Sequence, residues 1–98
     1  MSTDDPQLEF EWDDNKAAQN LQKHSVTFQE AATIFGDPFS LTFSDPDHSN
    51  EEDRFITIGS SNRNRLLVVA HTDRDDRIRI ISAREATRRE REIYEEES

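Results

Sequence analysis

Hydrophobic and polar positions alternate along this chain with two different periods. Leu8-Glu9-Phe10-Glu11-Trp12 switches every residue, the pattern of a half-buried strand with Leu8, Phe10 and Trp12 on its buried face. Asp13 and Asp14 then offer an N-cap, and a helix over 15–24 places Ala17, Ala18 and Leu21 on one side. Lys16, Asn20 and Lys23 fall on the other side, which reads as a solvated helix face. Thr27-Phe28-Gln29-Glu30 has the spacing of a capping box, and Phe28, Ala31, Ala32 and Phe35 form the apolar stripe of a second short helix. Gly36-Asp37-Pro38 stops it.

Period two then returns. Strands are predicted over 39–43, 54–59, 65–72 and 77–82, with the Leu66–Ala70 run marking the central one. In the last, Arg77 and Arg79 share one face and Ile78 and Ile80 the other. Ser44 to Asp53 is a polar loop, 60–64 a turn and 73–76 a hairpin loop. A charged helix is predicted over 83–95, with Glu85–Arg89, Arg88–Glu92 and Arg91–Glu95 as i, i+4 pairs. Its apolar content is thin, so it is expected to lie across the sheet edge or against a partner. Helices and strands that come in runs indicate an α+β domain: a sheet of four to five strands, antiparallel, with two N-terminal helices and one C-terminal helix. Residues 1–7 read as a flexible end, and 8–96 as a single domain.

Length and composition narrow the possibilities. At 98 residues, 32% hydrophobic and 35% charged, the core is lean. A domain of this size buries only about 60 to 65% of its unfolded surface, so a partner chain is expected. There are no cysteines, which excludes disulfides, thiolate metal sites and cysteine nucleophiles. The longest apolar run is far short of the roughly 20 residues of a membrane span. The acidic start lacks a secretory pattern, and a cytoplasmic protein is expected.

Charge is split along the chain. The net is −10. Residues 1–53 hold 2 basic and 13 acidic side chains, whereas 54–91 hold 10 basic and 5 acidic, all ten being arginines. Such a chain can bind a polyanion locally while repelling it elsewhere.

Candidate chemistry follows by elimination. Two glycines preclude phosphate-binding loops and a serine-hydrolase elbow. The histidines His24, His48 and His71 have no metal-ligand spacing. Asp45, Asp47, His48, Glu51, Glu52 and Asp53 form a solvated acidic loop or a weak hard-cation site. What remains is Arg54, Arg77, Arg79 and Arg84. Guanidinium forks suit phosphate and can stabilise a phosphorane, with Lys16, Lys23, His24 or His71 moving protons. RNA needs no metal for this, because its 2′-hydroxyl is an internal nucleophile. Strand arginines in an acidic protein equally serve as surface ion pairs. His71 also fits a satisfied sheet histidine, and Tyr94 a packing anchor.

Two stretches are more specific. W-D-x-x-K-x-x-x-N-x-x-K-H runs from Trp12 to His24, and Arg79-Ile80-Ile81-Ser82-Ala83-Arg84 follows the Arg54–Gly59 strand. Together they resemble the BrnT family, toxins of bacterial type II toxin–antitoxin pairs. Ser25, Asp53 and Ser60 depart from that family's usual glycine, glutamate and arginine. The resemblance implies a RelE-like fold and a metal-independent ribonuclease that arrests translation and uses no cofactor. It also implies a BrnA-like ribbon-helix-helix antitoxin as partner, in a heterotetramer. Carried over by position, the catalytic candidates are Lys23, His24, Arg54, Arg79 and Arg84. Arg79 and Arg84 would stabilise the phosphorane, and Lys23 or His24 would transfer the proton. The competing readings are a catalytically inactive module that only pairs with a partner chain, and a small acidic adaptor.

Overall fold

The computed structural model describes residues 8–45 and 53–97. Its elements are β1 (Glu9–Glu11), α1 (Asp14–His24), α2 (Phe28–Ala32) continuing as a 3-10 turn (Thr33–Gly36), β2 (Leu41–Ser44), β3 (Arg54–Ser60), β4 (Leu66–Arg74), β5 (Arg77–Glu85) and α3 (Arg88–Glu97). The five strands form one sheet in the order β1-β5-β4-β3-β2, with β4 central as its apolar run predicts. The sheet is mixed rather than wholly antiparallel. The short first strand joins β5 in parallel, with Glu9 opposite Arg77 and Glu11 opposite Arg79.

Caps set the helix starts. The Asp13 carboxylate accepts from the amides of Asn15 and Lys16, at 2.8 and 3.1 Å. The Thr27 hydroxyl accepts from the Glu30 amide at 3.0 Å. Glu30 does not reach back to complete the box. It is buried, takes a hydrogen bond from Ser61 at 2.6 Å and pairs with Arg65, which fastens the β3–β4 turn to α2. The Arg65 guanidinium, more than the Ser61 hydroxyl, holds the Glu30 carboxyl below its ordinary pKa against the opposing effect of burial.

One face of the sheet carries the main core. Val26, Phe28, Ala31 and Ile34 from the helical layer meet Leu67, Val69, Ile80 and Ala83, with Phe10 and Trp12 packed on the rim. Leu8, expected on that face, is 56% exposed. Gly59 lets the 3-10 turn lie against β3: a Cβ there would sit 3.1 Å from the Cβ atoms of Ile34 and Ser40. On the opposite, outer face, Ile58, Leu66 and Val68 are covered by Ala86 and Tyr94. The Tyr94 hydroxyl donates to Asp37 at 2.6 Å, so a polar contact adds to the packing that anchors α3.

The largest departure from the sequence pattern is at the C-terminal end. Residues 83–85 belong to β5, not to the last helix, because they pair with Leu67–Val69 of the central strand. The predicted Glu85–Arg89 helical pair therefore cannot form, and Glu85 instead accepts from Arg65 at 3.0 Å. The helix begins at a true capping box: Glu90 N donates to the Thr87 hydroxyl at 3.2 Å, and Thr87 N donates to the Glu90 carboxylate at 2.9 Å.

Candidate nucleic-acid interface

Register decides which arginines share a surface. Across the sheet, Arg54 is opposite Thr72, Thr72 opposite Arg79, and Arg79 opposite Glu11. Paired residues in neighbouring strands point to the same face, and in this row it is the outer one. The next outer row is Phe43, Ile56, Ala70 and Ser82, and the row after that is Leu41, Ile58, Val68 and Arg84. Arg54, Arg79 and Arg84 thus lie on one face, but not in one pocket. Arg79 and Arg84 are two rows apart, about 13 Å along the strands.

A bulge lies between them. His71 pairs with Ile80 and Ala70 with Ser82, so Ile81 has no partner on β4. Ile81 and Ser82 form one wall of a shallow cleft of about 270 Å³ whose other wall is α1, with Lys16, Lys23 and His24. Ser82 therefore joins two groups of candidate side chains. On the outer face it has Arg79 and Arg84 about 7 Å away on either side, and across the cleft it has Lys23 and His24. The helix is held there by Asn20. Its amide nitrogen donates to Ala83 O at 2.8 Å and Val26 O at 3.0 Å, and its oxygen accepts from Ala83 N at 3.0 Å. Asn20 thus stands in for a strand partner at the edge of β5 that β1 does not reach. It is buried, not part of a solvated helix face, and Leu21 is exposed in its stead.

Carboxylates hold both phosphorane candidates. Arg79 donates to Glu11 at 3.1 Å. Arg84 donates through both terminal nitrogens to the two oxygens of Glu90, at 2.8 and 2.9 Å. That fork pulls the Glu90 carboxyl down to about pKa 2, helped by the Thr87 amide, and raises Arg84 further above its ordinary value. Arg54 makes no ion pair with a described residue. At the β4–β5 end, a hollow of about 470 Å³ is lined by Glu9, Glu11, Asp75 and Asp76 against Arg74 and Arg77, a balance that disfavours an anion.

His71 lies on the other side of the sheet, buried between Phe35 and Phe55. Its Nε2 is 2.7 Å from the Thr57 hydroxyl, which is 2.8 Å from that of Thr42, while its Nδ1 has no partner among the described residues. Burial lowers its pKa, against a weaker opposing pull from Asp73, and keeps the ring neutral. It faces neither the cleft nor the arginines. Tyr94 is a packing anchor: burial and the Asp37 carboxylate push its hydroxyl up to about 12. His48 and most of the acidic loop lie outside the described residues. Among the described residues, no three His, Asp or Glu side chains converge as a metal site, and no helix is long and apolar enough to cross a membrane.

Sequence reasoning missed Glu11 and Glu90 as partners of the arginines. The Thr87-x-x-Glu90 spacing was a readable signal for the second. It also missed Ser82, whose placement depends on cross-strand register.

Comparison with known proteins places this small α+β domain. The model of a family described as the ribonuclease toxin, BrnT, of type II toxin–antitoxin systems matches residues 12–90. The chain belongs to that family, and an antitoxin partner follows from membership. Its structure is similar to the crystal structure of the Brucella abortus ribonuclease toxin BrnT, with a TM-score of 0.64 at 21% identity, over 84% of this chain and 100% of that one. Comparison with curated proteins gives no match.

Proposed function

We propose that this chain is a metal-independent endoribonuclease that blocks translation and is neutralised by a ribbon-helix-helix antitoxin in a heterotetramer. The observation that carries this reading is the position of Ser82. It stands between Arg79 and Arg84 on the outer face and on the wall of the cleft that Lys23 and His24 line. An RNA strand crossing the β5 edge there would have guanidinium groups on one side and proton-transfer groups on the other.

In the proposed reaction the 2′-hydroxyl attacks the adjacent phosphorus, giving up its proton to His24. The P–O5′ bond breaks, the 5′-oxygen leaves with a proton that Lys23 supplies, and a 2′,3′-cyclic phosphate remains. Arg79 and Arg84 would stabilise the added charge of the phosphorane, and Arg54 would hold a neighbouring phosphate. To do so, Arg79 and Arg84 must exchange Glu11 and Glu90 for phosphate oxygens. Those two pairs also favour a second reading, a catalytically inactive module whose arginines are structural and which only pairs with its partner.

Induced expression separates the two. Growth arrest by the wild type, relieved by Arg79→Ala or Arg84→Ala in soluble protein, supports the nuclease. No arrest by a folded wild type supports the module. RNA cleavage in vitro is expected to persist in EDTA, and its loss there would refute the metal-free mechanism.

A further inference from the structure

The sheet ends in two edge strands that are built differently. β1 is three residues long and carries Glu9 and Glu11, charges that discourage a further strand. β2 has no such guard. From Phe39 to Ser44 there is no charged side chain and no proline, and the register with β3 is unbroken over the strand. Asp45 N donates to Arg54 O, so Asp45, Phe43 and Leu41 are the residues that bond to β3. The amides and carbonyls of Thr42 and Ser44 therefore point away from the sheet. Thr42, Phe43 and Ser44 are exposed, and among the described residues no further strand pairs with β2. Phe43, 45% exposed, and the half-buried Leu41 border this edge on the outer face, and Phe39, 56% exposed, precedes it.

We propose that the antitoxin docks by adding a β-strand to β2, its backbone bonded to Thr42 and Ser44 and its apolar side chains on the outer face beside Leu41 and Phe43. The inference rests on the antitoxin pairing, not on the nuclease chemistry, and holds equally for the inactive module. Unpaired N–H and C=O groups repeating every second residue, about 7 Å apart, select an extended polypeptide. A helix bonds its own backbone groups, and a nucleic acid has no matching ladder. The apolar neighbours select a strand with apolar residues on one side. Charge and size disfavour a second copy. Each chain would bring a net −10, over a strand of four residues, far short of the roughly 1,200 Å² that a specific interface buries. An antitoxin, the partner that follows from family membership, can continue the contact beyond the strand.

The test compares the full chain alone with its complex with the cognate antitoxin, purified after co-expression, by amide hydrogen exchange read residue by residue. Thr42 and Ser44 should exchange quickly in the free chain and at least about 10-fold more slowly in the complex. Leu41 and Phe43, already bonded to β3, should change less. Ser44→Pro removes an outward donor and no bond to β3, a place where an edge strand tolerates proline. Its fold should hold, while antitoxin affinity falls roughly 5-fold or more, the loss of about one hydrogen bond. Ser44→Ala keeps the amide and should bind as the wild type does. Unchanged exchange at Thr42 and Ser44 in the complex overturns the proposal, whether or not Ser44→Pro folds, and so does undiminished affinity in folded Ser44→Pro. Slow exchange at those amides in the free chain overturns it too: a dimer gives the edge to a second copy, a monomer to the chain's own residues. A wild type that binds no antitoxin ends the pairing and this inference together, and growth arrest then decides the nuclease reading separately.

Discussion

Arg84 and Glu90 meet fork to fork, two guanidinium nitrogens against two carboxylate oxygens at 2.8 and 2.9 Å. The same carboxylate takes the Thr87 amide and so closes the capping box of α3. A single side chain therefore fixes the end of β5, the start of the last helix and the direction of one candidate catalytic arginine. If Arg84 binds RNA phosphate, Glu90 competes with the substrate for it.

Replacing Glu90 with Gln should cost about 1 to 2 kcal/mol of stability, the scale of one or two charge-assisted hydrogen bonds. The sign of the pH effect follows from the lowered pKa. The pair's contribution is complete above the unfolded value of 4.5 and drains away as pH falls toward about 2. Urea unfolding of both proteins between pH 2 and 7 checks this: the two curves should converge on acidification.

Asn20→Ala should destabilise by about 3 kcal/mol, because it leaves Ala83 N, Ala83 O and Val26 O without their partner in a buried position. Asn20→Asp should fare little better, since a carboxylate cannot donate to the two carbonyls. Denaturant midpoints measure the loss. If the cleft is the reaction site, RNA cleavage by the folded fraction should fall as well, because α1 carries Lys23 and His24.

His71 gives a second pH signature. Its folded pKa lies below the ordinary 6.5, so the unfolded chain binds the proton first as pH falls. Stability from the neutral buried ring is complete above pH 6.5 and declines below it, until the folded value is reached. His71→Leu should flatten the slope of stability between pH 5 and 7 relative to the wild type. Parallel slopes would show that the ring does not titrate in this window.

Ser25 closes α1 with φ at 59°, in the left-handed region, and donates its amide to Leu21 O at 2.9 Å. A side chain pays for that conformation and glycine does not. Ser25→Gly should therefore stabilise the protein by about 0.5 to 1 kcal/mol, read as a rise in melting temperature.

The sequence by itself determined the elements. Alternation in Glu9–Trp12 and Arg77–Ile80, the Leu66–Ala70 run, the Asp13 and Thr27 caps and the Gly36-Asp37-Pro38 stop are local signals, each read within a few residues, and the motifs at Trp12–His24 and Arg79–Arg84 pointed to the family. Tertiary structure decided the rest. Only strand pairing could extend β5 through Glu85, join β1 in parallel and turn a polar Asn20 inward, because the ladder of β4 and the unpaired edge of β5 outweigh local helix preference. Only register could put Arg54, Arg79 and Arg84 on one face yet leave Arg84 two rows from the other two, and only folding could bring Glu11 beside Arg79. Residues 68 positions apart meet across a sheet for reasons that no window of sequence contains.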